Sequence, residues 1–106
     1  MGYDIHITRR EFWAENDGPE ISMDEWLRYI ESDAQVQRDS QNGATDFLFL
    51  AHPAAPAPLW WDRGEIYTKN PDKPTIQKMI EIAQKLGARV QGDDEELYDD
   101  TSDITN

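Results

Sequence analysis

The chain has 106 residues and no cysteine, which suits one domain with a true hydrophobic core and excludes disulfides and thiolate metal sites. Twenty-two acidic against ten basic side chains give a formal charge of −12. Such a surface repels nucleic acid and anionic membrane, whose binding rests on Lys and Arg, and it attracts a basic partner.

The elements follow in chain order. The opening MGYDIHITRR lacks the apolar run of a signal peptide, and no segment approaches the roughly 18 apolar residues of a membrane span, so a cytoplasmic location is expected. Tyr3, Ile5 and Ile7 alternate with Asp4, His6 and Thr8, the period of a half-buried strand. Asn16-Asp17-Gly18-Pro19 carries turn chemistry. Ser22-Met23-Asp24-Glu25 has the form of a capping box, with Ile21 and Trp26 placed for a hydrophobic staple. Met23, Trp26, Leu27 and Ile30 then mark one apolar helix face that fades near Ser32-Asp33.

Residues 34–45 read as a polar loop anchored by Val36, with Asn42-Gly43 as a turn. Asp46 to His52 contains the apolar run Phe47-Leu48-Phe49-Leu50. That run fits a strand covered on both faces or one with a face at an interface. The prolines of 53–58 predict an exposed connection that stays out of the sheet. Leu59 to Lys69 reads as one strand broken near Arg63-Gly64, or as a short hairpin turning at Asp62-Arg63-Gly64-Glu65. A second helix starts after about Asp72, carries Ile76, Met79, Ile80, Ala83 and Leu86 at helical spacing, and ends at Gly87. Ala88-Arg89-Val90-Gln91 resumes as a strand, and Leu97-Tyr98 is a last pairing segment.

This order predicts an α+β fold of ferredoxin-like β-α-β-β-α-β type, one mainly antiparallel sheet with two helices on one face. Residues 1–98 form the domain and 99–106 an acidic, frayed tail.

The chemistry-bearing residues are few. Asp4 and His6 share one strand face, where a carboxylate could orient an imidazole, although the simpler reading is a polar outer face. His6 and His52 are the two histidines, without a recognised metal spacing, so no metal ligand is assigned. No serine stands in a nucleophile elbow and no glycine motif cradles phosphate, so no catalytic residue and no cofactor are expected. Gly92 to Asp100 concentrates carboxylates without the spacing of an EF-hand loop, and reads as a solvated tail or a charged docking arm. Trp60 and Trp61 are adjacent, so on a strand they face opposite ways unless a bulge intervenes. One of them on the open face, near Tyr67 and acidic residues, would make a recognition patch. The alternative buries both under the Pro-Ala loop or the Phe12-Trp13 segment.

The segments Tyr3-Asp4-Ile5-His6-Ile7-Thr8-Arg9, Ile21-Ser22-x-x-Glu25-Trp26, Lys69-Asn70-Pro71-Asp72 and Ala88-Arg89-Val90-Gln91-Gly92-Asp93-Asp94 resemble an uncharacterised family of small bacterial proteins. In size and acidity the chain is similar to immunity proteins of bacterial toxin systems. Negative charge, single-domain size, surplus aromatics and the absence of a catalytic constellation lead to the expectation of a non-enzymatic, toxin-neutralising protein whose partner is a protein, with a basic toxin domain as the expected one. Its contact surface would comprise Asp4, His6, Trp60, Trp61, Asp62, Tyr67, Asp93, Asp94 and Glu95. The alternatives are a small ligand-binding domain or enzyme using Asp4, His6 and His52, and a homodimer pairing through the open sheet face.

Overall fold

The computed structural model describes residues 3–15, 17–51, 55–93 and 97–98. The elements are β1 (Asp4–Thr8), α1 (Met23–Glu31), β2 (Val36–Arg38), β3 (Asp46–Phe49), β4 (Ala57–Asp62), β5 (Glu65–Lys69), α2 (Lys73–Leu86) and β6 (Arg89–Gly92). All six strands form one sheet in the order β2-β3-β4-β5-β1-β6, and every neighbouring pair is antiparallel. The fold is therefore α+β with one open antiparallel sheet and two helices. The sheet is wider than the four strands expected. Among the described residues no helix is long and apolar enough to cross a membrane.

Both helices follow from their caps and stripes. Ser22 Oγ accepts the amide of Glu25 at 3.1 Å, and Ile21 and Trp26 are fully buried, as a staple requires. Asp72 caps α2 through the amide of Thr75, Pro74 sits in the first turn, and Gly87 closes the helix in the left-handed region at φ 64°. The inward strand residues Ile5, Ile7, Phe47, Leu59, Ile66 and Val90 join Trp26 of α1 and Met79, Ile80 and Ala83 of α2 in one core. Arg9, just past β1, ties the two helices to the sheet. Its guanidinium donates to Glu25 at the start of α1 and to the Leu86 carbonyl at the end of α2.

Three expectations change, and one pair of alternatives is decided. Residues 34–45 are not all loop, because Val36–Arg38 pairs along β3 and the buried Val36 stands opposite Phe49. Without β2 the edge of β3 would present unpaired backbone groups. The Phe47–Leu50 run is buried on one face alone: Phe47 and Phe49 point into the core, Leu48 is half-buried and Leu50 exposed. Residues 57 and 58 belong to the sheet, Pro58 opposite Leu48 at the start of β4, where its missing N–H is tolerated, and its carbonyl accepts the Thr68 hydroxyl. The 59–69 segment is the hairpin rather than one broken strand. Arg63 (φ 47°) and Gly64 (φ 86°) make the two-residue turn with both φ values positive that matches strand twist. A side chain at Gly64 would also collide with Glu20, whose Cβ would lie 2.5 Å from an added Cβ.

Candidate functional site

Strand alternation places Asp4, His6, Tyr67, Glu65, Trp60, Asp62, Asp46 and Gln91 on the sheet face opposite the helices. Register then sets Gln91, His6, Tyr67, Trp60 and Asp46 in one row across five strands. The two ends of this row differ.

At the β1–β6 end the chain after β1 folds back over the sheet. Gln91 holds it there, its Oε1 accepting the Trp13 amide at 2.9 Å and its Nε2 donating to the Glu11 carbonyl. The Trp13 indole then lies flat on the His6 ring, centroids 3.9 Å apart and planes 6° from parallel. His6 is 3% exposed. Its Nδ1 faces Glu65 Oε1 at 2.8 Å and its Nε2 faces Asp93 Oδ1 at 3.1 Å. Ionised carboxylates only accept, so the doubly protonated ring satisfies both. Burial opposes that charge, but the hydrogen bonds and charges of Glu65 and Asp93 outweigh it and push the His6 pKa above its ordinary value. Asp93 is fixed in turn, its Oδ2 accepting the Asp4 amide at 2.8 Å. The Asp4 carboxylate converges on the same place: one oxygen of Asp4, one of Asp93 and a ring nitrogen of His6 lie within 4.8 Å of one another. Trp13 and Glu65, with Arg10, Glu20 and Arg63, also line a cavity of about 300 Å³.

At the β3–β4 end Trp60 and Tyr67 are partly exposed neighbours with ring centroids 5.4 Å apart. Burial first, then the negative charges of Asp62, Asp4, Glu65 and Asp46, raise the Tyr67 pKa. Asp46 stands opposite Trp60, and Asp62 lies two residues along the same strand.

The expected residues thus separate. Asp4, His6 and Asp93 meet at one end of the face, and Trp60, Asp62 and Tyr67 at the other. Trp61 turns to the core side, packs against it, and donates its indole N–H to the Ile21 carbonyl at 2.9 Å. The adjacent tryptophans therefore divide as plain alternation requires. His52, Asp94, Glu95 and the tail 99–106 lie outside the described residues. Asp93, read from sequence as part of a solvated acidic run, is instead bonded into β1.

Sequence reasoning missed Glu65, Trp13 and Gln91. Alternation with Tyr67 put Glu65 on the open face, but its approach to His6 depends on register between strands about sixty residues apart. No local pattern marks the return of Trp13. No family model matches the chain, and neither a curated protein nor a solved structure matches it.

Proposed function

We propose that this chain is a non-enzymatic protein-binding module of the immunity type, which neutralises a basic partner domain by covering it with the open sheet face. The observation that carries the reading is the partly exposed Trp60–Tyr67 pair, with Asp46 opposite Trp60 and Asp62 and Asp4 near Tyr67. Aromatic rings bordered by carboxylates suit an arginine or lysine from a partner, which would stack on the rings and pair with the acids. The charge of −12 supports fast encounter with such a surface. The β6-β1-β5-β4 strands with α1 and α2 further support a ferredoxin-like unit, widened at one edge by β2 and β3. A cytoplasmic site of action completes the proposal.

Affinity capture from the source organism at moderate salt, with the Trp60→Ala/Tyr67→Ala double variant run in parallel, tests it. One stoichiometric partner with a basic surface, released by salt and lost in the variant, is expected. A hot-spot residue is worth about 2 kcal/mol or more, roughly 30-fold in affinity. A partner retained fully by the variant, or no partner at all, counts against the reading. A concentration-dependent mass abolished by the same variant would favour the homodimer.

A further inference from the structure

We infer that Asp4, His6 and Asp93 form a site for one divalent transition-metal ion, with Zn²⁺ the best-fitting probe, held by the His6 Nε2 and a carboxylate oxygen from each aspartate. This inference goes beyond the protein-binding reading and does not depend on it.

Three observations point the same way. The first is convergence: the three donor atoms lie within 4.8 Å of one another, and a small inward turn of the aspartate side chains would bring them to the roughly 3.3–3.6 Å separation that bonds of about 2.0–2.2 Å impose around a tetrahedral ion. The second is orientation. Buried Glu65 takes the Nδ1 proton at 2.8 Å, which fixes the ring and aims Nε2 at the aspartates. A carboxylate on the far nitrogen of a ligating histidine is the usual support for a metal site, because it sets the tautomer and raises the basicity of the other nitrogen. Asp93 is supported similarly, its Oδ2 held by the Asp4 amide so that Oδ1 faces the site.

The third is charge. Asp4, Glu65 and Asp93 crowd one imidazole ring, and among the described residues the Asp4 carboxylate has no hydrogen-bond donor. Lys69, opposite Asp4 in the β1–β5 ladder, is exposed and forms no ion pair among the described residues. A cation replacing the Nε2 proton would give Asp4 a partner and bring the cluster nearer neutrality. Asp4 and Asp93 are partly exposed, so an ion can enter from solvent, while Trp13 closes the His6 ring face. The mixed nitrogen and oxygen donor set favours Zn²⁺ over Mn²⁺, and both over Ca²⁺ and Mg²⁺, which select oxygen.

The test is calorimetric titration of the chelator-stripped full chain with Zn²⁺ alone. One ion per chain is expected, with binding lost in Asp4→Asn and Asp93→Asn and weakened about 10–100-fold in Glu65→Gln. Asp24→Asn, an exposed acid on α1, controls for general attraction and should bind like the parent. Should Asp93→Asn fail to fold, the imidazole nitrogen resonances of the parent chain decide: Zn²⁺ must shift the His6 Nε2 signal and remove its proton. Equal affinity in Asp4→Asn and the parent, binding no tighter than roughly 1 mM, or a His6 ring that stays doubly protonated with Zn²⁺ bound, would overturn the assignment.

Discussion

Two buried basic side chains in this molecule are treated differently. Lys78 of α2, 4% exposed, spends its three N–H donors on Asp33 and Glu81 carboxylates and the Gln35 side-chain oxygen, each at 2.8 Å. Asp33 also accepts the Tyr29 hydroxyl and the Gln35 amide, and Glu81 is half in water. Burial raises the Asp33 pKa, but Lys78 and Tyr29 more than offset it, and the net shift is downward. Tyr29 is pushed up by burial and by Asp33. Every partner of Lys78 is therefore satisfied, and the cluster ties α2 to the segment that follows α1. His6 is as deeply buried, but beside its two bonded carboxylates stands a third, that of Asp4, which accepts no hydrogen bond among the described residues. A closed cluster contributes to stability alone. An open one of the same depth keeps stability in reserve for a cation.

This contrast can be broken experimentally. The largest effect belongs to Lys78→Ala, which leaves the half-buried Asp33 carboxylate without its cation and should destabilise the fold by about 3–5 kcal/mol, read as a lower urea midpoint. A loss below about 1 kcal/mol would mean that the cluster behaves as surface charge. Glu65→Gln keeps an acceptor for Nδ1 but removes a charge, and should cost about 1.5–3 kcal/mol at pH 6 in the metal-free chain.

A pH series sharpens the point. The folded pKa of His6 lies above its unfolded value, with Glu65, Asp93, Asp4 and the Tyr67 ring around it. Its contribution is therefore complete below about pH 6.5 and is lost as pH rises through the folded pKa. Urea midpoints of the metal-free chain should fall over that window, and His6→Gln should flatten the fall. Midpoints that rise there would reverse the assigned charge of the ring. Asp4→Asn should have the smallest effect, within about 0.5 kcal/mol and in the stabilising direction, since it relieves repulsion and removes no hydrogen bond. A clear destabilisation would show that Asp4 has a structural partner.

Much of this was legible in the residues. Ser22, Asp72 and Gly87 announce their helix ends, because caps are local chemistry. Trp60 and Trp61 split between the faces as a period of two requires. Pro58 misled, since a proline at the first positions of a strand costs the ladder nothing while it resembles a breaker. Val36 misled because three residues carry too little periodicity to mark a strand, and β2 exists through the edge that β3 offers it. The His6 site was half readable. Asp4 and His6 follow from one strand, whereas Glu65 and Asp93 reach them only through the β1–β5 and β1–β6 registers, and Trp13 through a loop whose return is fixed by Gln91. Local pattern supplies faces, and tertiary register supplies partners.

The most direct measurement is anomalous diffraction at the zinc edge from crystals of the full chain grown with one equivalent of Zn²⁺. A single peak bonded to Asp4, Asp93 and the His6 Nε2, with Glu65 still on Nδ1, is the predicted result. A His6 Nε2 that remains hydrogen-bonded to Asp93, with zinc absent or scattered over surface carboxylates, would contradict it and make the His6 cluster a structural one like that of Lys78.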